Sequence, residues 1–224
     1  PHIIKVRWSY TCGKTLGMLL TPIASEGDLK QYLGAIQDTG MPPTLEQRSI
    51  LIRSFGCLAS GLAFIHSQTI RHKDIKPANI LVHEGHMIFT DFGIALDAGE
   101  QDSTTTTGQP RAFTDRYRAP EVAAWNPRNR KSDVFSLGCV FLEILALLVP
   151  GIDFVTSDPR PFWQRLDLNY RALEKVYWSD HVPYLYLFPI FKTMLENDPQ
   201  THSEAGAVLN GFWSLRYQGI FCNS

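Results

Sequence analysis

Between Thr44 and His66, apolar positions recur at Ile50, Leu51, Phe55, Leu58, Ala59, Leu62, Ala63 and Ile65. That spacing places them on one face of a long helix. Thr44 stands where it can cap the helix, with Glu46 and Gln47 in the first turn. His66 closes it, and a basic ring there suits the negative end of the helix better than a ligand role. A second apolar run, Val134 to Val149, follows Ser132 and Asp133 and is interrupted by Ser136 and Glu143. It is short for a membrane span and predicts a buried helix. A shorter helix is expected over Asp28 to Ala35, with Asp28 as its N-cap.

Strand patterns occupy the remaining apolar stretches. Residues 2–8, rich in β-branched and aromatic side chains, predict a strand, and Leu16 to Thr21 its hairpin partner across a turn at Thr11 to Thr15. Pro22 to Gly27 break the pattern, and Gly40-Met41-Pro42-Pro43 mark a loop. Leu81-Val82 and Met87-Ile88-Phe89 predict a second hairpin around His83-Glu84-Gly85-His86. Two histidines and a glutamate invite a metal, but with no third partner nearby an exposed turn is expected. A long polar segment, residues 94–118, carries Ser103-Thr104-Thr105-Thr106-Thr107 and is expected to be functional or disordered. After Pro150-Gly151 the chain is mostly helical. Phe162, Trp163, Tyr170, Tyr177, Trp178, Tyr184, Tyr186, Phe188 and Phe191 are expected to line the core and a groove. Glu196 to Pro199 end one helix there, and Ser203 to Leu215 form another.

Composition narrows the classes. The 224 residues are 44% hydrophobic, enough for a sizeable core in one domain or lobe. A net charge of -1 gives no electrostatic footprint for nucleic acid or an anionic membrane. Cys12, Cys57, Cys139 and Cys222 are far apart and lack paired metal spacing. Cys57 and Cys139 sit in apolar helical patterns, so a reduced, intracellular chain without disulfides is expected. No signal-peptide pattern is visible. The chain begins at Pro1 and its first methionine is Met18, so a fragment or processed product is expected.

The chemistry concentrates in Ile70-Arg71-His72-Lys73-Asp74-Ile75-Lys76-Pro77-Ala78-Asn79-Ile80-Leu81 and in Asp91-Phe92-Gly93. Asp74 could take or orient the proton of an attacking hydroxyl, and Lys76 could offset charge on a transferred phosphate. Asn79 and Asp91 offer oxygen ligands of the kind magnesium prefers. Gly93 would let the backbone turn sharply after the metal ligand. Singly, each is an ordinary loop residue. The spacing Asp-x-Lys-Pro-x-Asn, then Asp-Phe-Gly after two short apolar runs, is what gives them weight.

Those two motifs resemble the catalytic loop and the metal-binding motif of eukaryotic protein kinases. Ala119-Pro120-Glu121 resembles the end of that family's activation segment, and Thr114-Asp115-Arg116-Tyr117-Arg118 the substrate-positioning loop of its serine/threonine branch. Ser132 to Cys139 resembles the start of its central large-lobe helix, where Asp133 would cap the helix and bond back to the catalytic-loop backbone. The resemblance covers nearly the whole chain. It implies an α+β, mainly α, fold: a kinase-like large C-terminal lobe (residues 28–224) with a remnant of the small β lobe and hinge (residues 1–27). It implies ATP and Mg2+ as cofactors, with Asp74 and Lys76 catalytic and Asn79 and Asp91 on the metal. The adenine would lie against Leu20, Thr21 and Ile23, with Leu81 as the floor of its pocket. The acceptor would be a Ser or Thr hydroxyl of a protein substrate, in the cytoplasm or nucleus. The hinge Thr21-Pro22-Ile23-Ala24 and the acceptor-rich loop also have a fungal look.

The likeness breaks in three places. The glycine-rich loop, the strand lysine and its glutamate partner have no counterpart in this sequence. The chain alone is therefore expected to be inactive or weak. Lys73 stands where the family usually has arginine, and lysine lacks the bidentate grip on a phosphorylated loop. His202 stands where an arginine would pair with Glu121, so that pair is expected to be weak or absent. The alternative is a non-catalytic kinase-like scaffold, favoured by Lys73 and the missing small-lobe parts but opposed by the four retained loop and metal residues. A small-molecule kinase fits Lys76, Thr114 and Ala119-Pro120-Glu121 less well.

Overall fold

The structure, a computed structural model, describes residues 2–97, 114–127, 129–149, 158–177, 185–198 and 200–222. Ser103 to Thr107, Trp178 and Tyr184 lie outside the described residues, as does the side chain of Tyr177.

Strands β1 (Lys5–Cys12) and β2 (Thr15–Thr21) form the first hairpin. Lys5 pairs with Thr21 and Cys12 with Thr15, with an irregularity between Val6 and Trp8. The strand expected over residues 2–8 thus starts later and runs on to Cys12. The reason is that His2 to Ile4 are engaged elsewhere. The Ile4 N–H donates to the Phe89 carbonyl, and the Phe89 N–H to the His2 carbonyl, both at 2.9 Å. The hairpin leaves Val6, Trp8, Tyr10, Leu16, Met18 and Leu19 exposed.

Helix α1 (Leu29–Asp38) starts at a capping box. The Gln31 N–H donates to Asp28 Oδ1 at 2.9 Å, and the Gln31 side chain accepts from the Asp28 N–H. Helix α2 (Leu45–Ser67) has the same device, built from Thr44 and Gln47. After α2 come β3 (Ile70–Arg71), β4 (Ile80–His83), β5 (His86–Phe89) and β6 (Leu96–Asp97). β4 and β5 pair antiparallel, Ile80 with Phe89 and His83 with His86. Glu84 and Gly85 both have positive φ (50° and 73°), the signature of a tight two-residue hairpin turn. His86 and Glu84 are exposed, as expected for a turn. β3 pairs with β6.

The helical layer continues with α3 (Pro120–Ala123), α4 (Lys131–Leu148), α5 (Leu166–Tyr177), α6 (Phe188–Met194) and α7 (Ala205–Ser214). Phe55 of α2, Phe141 of α4, Phe191 of α6 and Phe212 of α7 meet in one fully buried cluster. Phe55 and Phe141 cross edge to face at 5.1 Å, a favourable aromatic geometry. α4 is buried almost throughout, which is why its pattern shows apolar residues on every face. By length and hydropathy α2 could cross a membrane, but 67% of its most apolar window is buried inside the fold. Phe162 and Phe191 are core residues; Trp163, Tyr170, Tyr186 and Phe188 pack partly buried around it.

The cysteines depart from expectation. Cys139 is buried and free, but Cys57 of α2 is joined to Cys222 in a disulfide. The segment after α7 folds back across α2, where the Gly56 N–H donates to the Ile220 carbonyl at 2.9 Å. A Cβ on Gly56 would lie 2.4 Å from that carbonyl oxygen, so only glycine allows the approach. Sequence separation hid this pairing, because the two cysteines are 165 positions apart.

Candidate active site

The loop between β3 and β4 carries the catalytic candidates, and it closes with a 3-10 turn at Pro77–Asn79. Lys76 Nζ lies 2.7 Å from Asp74 Oδ2 and 2.8 Å from Thr114 Oγ1. The Thr114 hydroxyl in turn donates to Asp74 Oδ1 at 3.2 Å. Asn79 Nδ2 donates to both the backbone carbonyl and Oδ2 of Asp74, each at 2.9 Å. Asp74, Lys76, Asn79 and Thr114 therefore form one closed polar group. Both oxygens of Asp74 are held, which fixes the carboxylate's direction. Thr114 was legible only as part of the loop Thr114 to Arg118; its direct bond to Asp74 and Lys76 was not.

Asp133, in the first turn of α4, holds the loop from behind. Its Oδ2 accepts from the His72 N–H and its Oδ1 from the Lys73 N–H, both at 2.9 Å. His66 Nε2 lies 3.0 Å from the same Oδ2. The expected tie to the loop backbone is present, but Asp133 makes no cap. The residue before the helix is Arg130, and no side-chain cap bond is made there. Its carboxyl is fully buried, which alone would raise its pKa. The hydrogen bond and charge of His66, the charge of His72 and the Lys73 amide outweigh that and hold it below 3.8. His66 is thus more than a residue favourable to the helix end: it is the buried partner of this hub.

Asn79 and Asp91, the residues expected to hold a metal, flank the β4–β5 hairpin. The Asn79 carbonyl accepts from the Thr90 N–H at 3.0 Å, so Asn79 and Asp91 leave the hairpin from one end. Asn79 spends its amide nitrogen on Asp74, which leaves Oδ1 for another partner. Asp91 is exposed, and its Oδ1 accepts from the Gly93 N–H at 3.3 Å. The sharp turn expected at Gly93 is displaced: the positive φ belongs to Asp91 itself, at 59°. A Cβ on Gly93 would lie 3.2 Å from Asp91 Oδ1, so the glycine makes room for the carboxylate. Behind them, His72 Nε2 bonds the Thr90 carbonyl at 2.9 Å and its ring packs on Phe92 at 4.7 Å. His72 thereby couples the loop that carries Asp74 to the Asp91-Phe92-Gly93 turn.

The residues expected to contact an adenine stand on a more open stretch. Leu20 pairs with Val6 in the first hairpin and is 43% exposed, and Ile23 is 88% exposed. Thr21 is part-buried, and its peptide bond to Pro22 is cis. The following segment docks on the strand that carries Leu81, through Glu26 N–H to the Val82 carbonyl and Val82 N–H to the Gly27 carbonyl.

Beside the closed group lies a cleft of about 720 Å³, lined among others by Lys76, Thr114, Arg116, Tyr117, Glu143 and Lys30. Glu143 is buried, and it accepts from Arg116 Nε at 3.1 Å and from the Tyr117 hydroxyl at 3.1 and 3.2 Å. Burial raises the Glu143 pKa, and the Arg116 charge and hydrogen bond only partly offset that. Burial and the neighbouring Glu143 raise Tyr117. The sequence signal for Glu143 was a single acid inside an apolar helix. In α3, Glu121 accepts from the hydroxyl of Ser132 of α4 at 2.6 Å, and its Oε2 is buried without a hydrogen-bond partner among the described residues. His202 instead lies against the Glu196 carbonyl and stacks on Phe135. The pair that an arginine would make with Glu121 is absent among the described residues.

The chain is similar to known proteins. The protein kinase domain family matches residues 1–182. A serine/threonine-protein kinase, nekl-2 of Caenorhabditis elegans, is 32% identical over 66% of this chain and 41% of its own length. Cyclin-dependent kinase 4 of Xenopus laevis is 40% identical over 52% of the chain and 34% of its own. Serine/threonine-protein kinase Nek6 of rice is 27% identical over 100% of the chain and 39% of its own. These relatives, from animals and a plant, lend no support to a fungal likeness. The chain spans about two fifths or less of the length of these relatives. It belongs to the protein kinase domain family, and its relatives here include serine/threonine kinases.

Proposed function

We propose that this chain is the catalytic part of a serine/threonine protein kinase, moving the γ-phosphoryl group of ATP to a protein Ser or Thr hydroxyl. The observation that carries this is the closed group of Asp74, Lys76, Asn79 and Thr114, of which Lys76 and Thr114 line a cleft. The acceptor oxygen bonds to the γ-phosphorus as the bond to the β–γ bridging oxygen breaks, and ADP leaves. Asp74 orients the attacking hydroxyl and takes its proton. Lys76 offsets charge on the moving phosphoryl group. Thr114 keeps Lys76 and Asp74 in register. Asn79 Oδ1 and the exposed Asp91 carboxylate are hard oxygen donors that fit magnesium, with water completing the shell. Magnesium, when held there, neutralises phosphate charge.

Leu20, Thr21, Ile23 and Leu81 would contact the adenine, with the Thr21 carbonyl and Ile23 amide as its hydrogen-bond pair. Residues 1–27 would be the end of the small lobe and the hinge, and residues 28–224 the large lobe. The exposed apolar side chains of the β1–β2 hairpin support this, since a face like that normally packs against something. The family's phosphate-anchoring parts have no counterpart here, so this chain alone is expected to transfer little or no phosphate. An intracellular site, cytoplasmic or nuclear, suits a reaction that consumes ATP. A kinase-like scaffold is the second reading, favoured by Lys73 in place of arginine.

The test is transfer of labelled phosphate from ATP to a mixed peptide library by the full-length protein, followed by identification of the modified amino acid. Phosphoserine or phosphothreonine formed only with Mg2+ is expected. Absence of any transfer would establish the scaffold, and phosphotyrosine would contradict the acceptor class.

A further inference from the structure

The two ends of the chain meet on the middle of α2, and the residues they bring have the chemistry of a metal site. His2 Nδ1 lies 3.1 Å from the Met87 carbonyl. A carbonyl only accepts, so Nδ1 carries the hydrogen and Nε2 keeps its lone pair. That Nε2 is 3.6 Å from Cys222 Sγ, and the Cys222 N–H lies 2.9 Å from Cys57 Sγ. The ligand atoms of His2, Cys57 and Cys222 all fall within 4.8 Å of one another. His2 and Cys57 are buried, and Cys222 is partly so.

Two glycines make the meeting point. Gly56 admits the Ile220 carbonyl against α2, and a Cβ on Gly61 would lie 3.0 Å from the Cβ of His2. A disulfide alone has no use for a histidine whose tautomer is set by a backbone carbonyl. A metal does, because that second bond orients the ring and raises its basicity as a ligand.

We propose that in the reduced chain His2 Nε2, Cys57 Sγ and Cys222 Sγ bind Zn2+, which staples both ends of the chain to α2. Two thiolates and an imidazole are a fitting donor set, with water in the fourth tetrahedral position. Zinc and the disulfide are mutually exclusive, because both need the same sulfurs. Opening the disulfide takes two electrons and two protons. A trialkylphosphine supplies the electrons and takes an oxygen from water to become its oxide, leaving two thiols. Zinc then displaces both thiol protons. The site draws on positions 2, 57 and 222, so no local cysteine spacing announced it.

The experiment uses the full chain, reduced with a trialkylphosphine, stripped of metal, and titrated with Co2+ and then Zn2+. About one Co2+ per chain is expected, with thiolate-to-cobalt charge-transfer absorption that Zn2+ abolishes. Affinity should fall by at least about tenfold in Cys222→Ser and in His2→Ala, and the oxidised chain should show no charge-transfer band. Absence of the band from the reduced wild type overturns the proposal. So does a band of unchanged affinity in both variants. The wild-type arm does not depend on either variant folding.

Discussion

The ammonium of Lys76 lies 2.8 Å from the hydroxyl of Thr114, a residue 38 positions later in the chain. The loop that carries Asp74 is therefore completed by a side chain from the far end of the long polar segment. Hydrogen bonds to charged groups are worth about 1.5–3 kcal/mol, or roughly ten- to a hundredfold in rate. Thr114→Ala in the full-length protein should lower kcat by that factor, and Thr114→Ser should restore most of it. Steady-state kinetics of both variants checks this; equal loss in both would assign Thr114 a packing role.

Asp133 ties α4 to the loop that carries Asp74, and its loss should cost stability. Asp133→Asn keeps the shape but removes the charge facing His66, and should destabilise the fold by about 3 kcal/mol at neutral pH. The pKa of Asp133 is lowered on folding, so its contribution is full above its unfolded value of 3.8. It is lost as pH falls through the lower folded value. Urea midpoints of the wild type and the variant should therefore differ at pH 7 and converge in acid.

Among the described residues Glu121 leaves one buried oxygen without a partner, and His202 turns to the Glu196 carbonyl instead. His202→Arg should supply the missing partner and raise stability by about 1 kcal/mol, a rise in Tm of roughly 2–4 °C for a chain of this size. Differential scanning calorimetry reads this directly, and a lower Tm would show that the Glu196 and Phe135 contacts of His202 matter more.

Two glycines should respond in opposite directions. Gly56→Ala forces a Cβ to within 2.4 Å of the Ile220 carbonyl oxygen and should destabilise by about 1–3 kcal/mol. Gly34 of α1 has open space around its Cβ position, so Gly34→Ala should stabilise by about 0.5–1 kcal/mol. Thermal unfolding of the pair checks the contrast.

Helices were the most legible part of the fold. Thr44 with Gln47 and the apolar spacing through Ile65 carry α2 almost residue for residue, because caps and periodicity are local. Long-range events were not legible. The start of β1 moved because His2 to Ile4 pair with the distant Phe89. Cys57 looked like a buried hydrophobe because its partner is at the other end of the chain. Within the site, Asp74, Lys76 and Asn79 were read from spacing and do meet. Gly93 was expected to turn the backbone, but the positive φ belongs to Asp91, and Gly93 instead leaves room for the Asp91 carboxylate. Thr114 and Glu143 depend on which elements fold next to which, and pattern alone does not carry that.

The most direct test of the central claim is Asp74→Asn in the full-length protein, with kcat and the Kd for MgATP measured side by side. A proton acceptor that touches the acceptor hydroxyl predicts that kcat falls by about 10²–10⁴-fold while nucleotide affinity stays within a few-fold. An unchanged kcat would contradict the assignment of Asp74, and with it the mechanism proposed for this site.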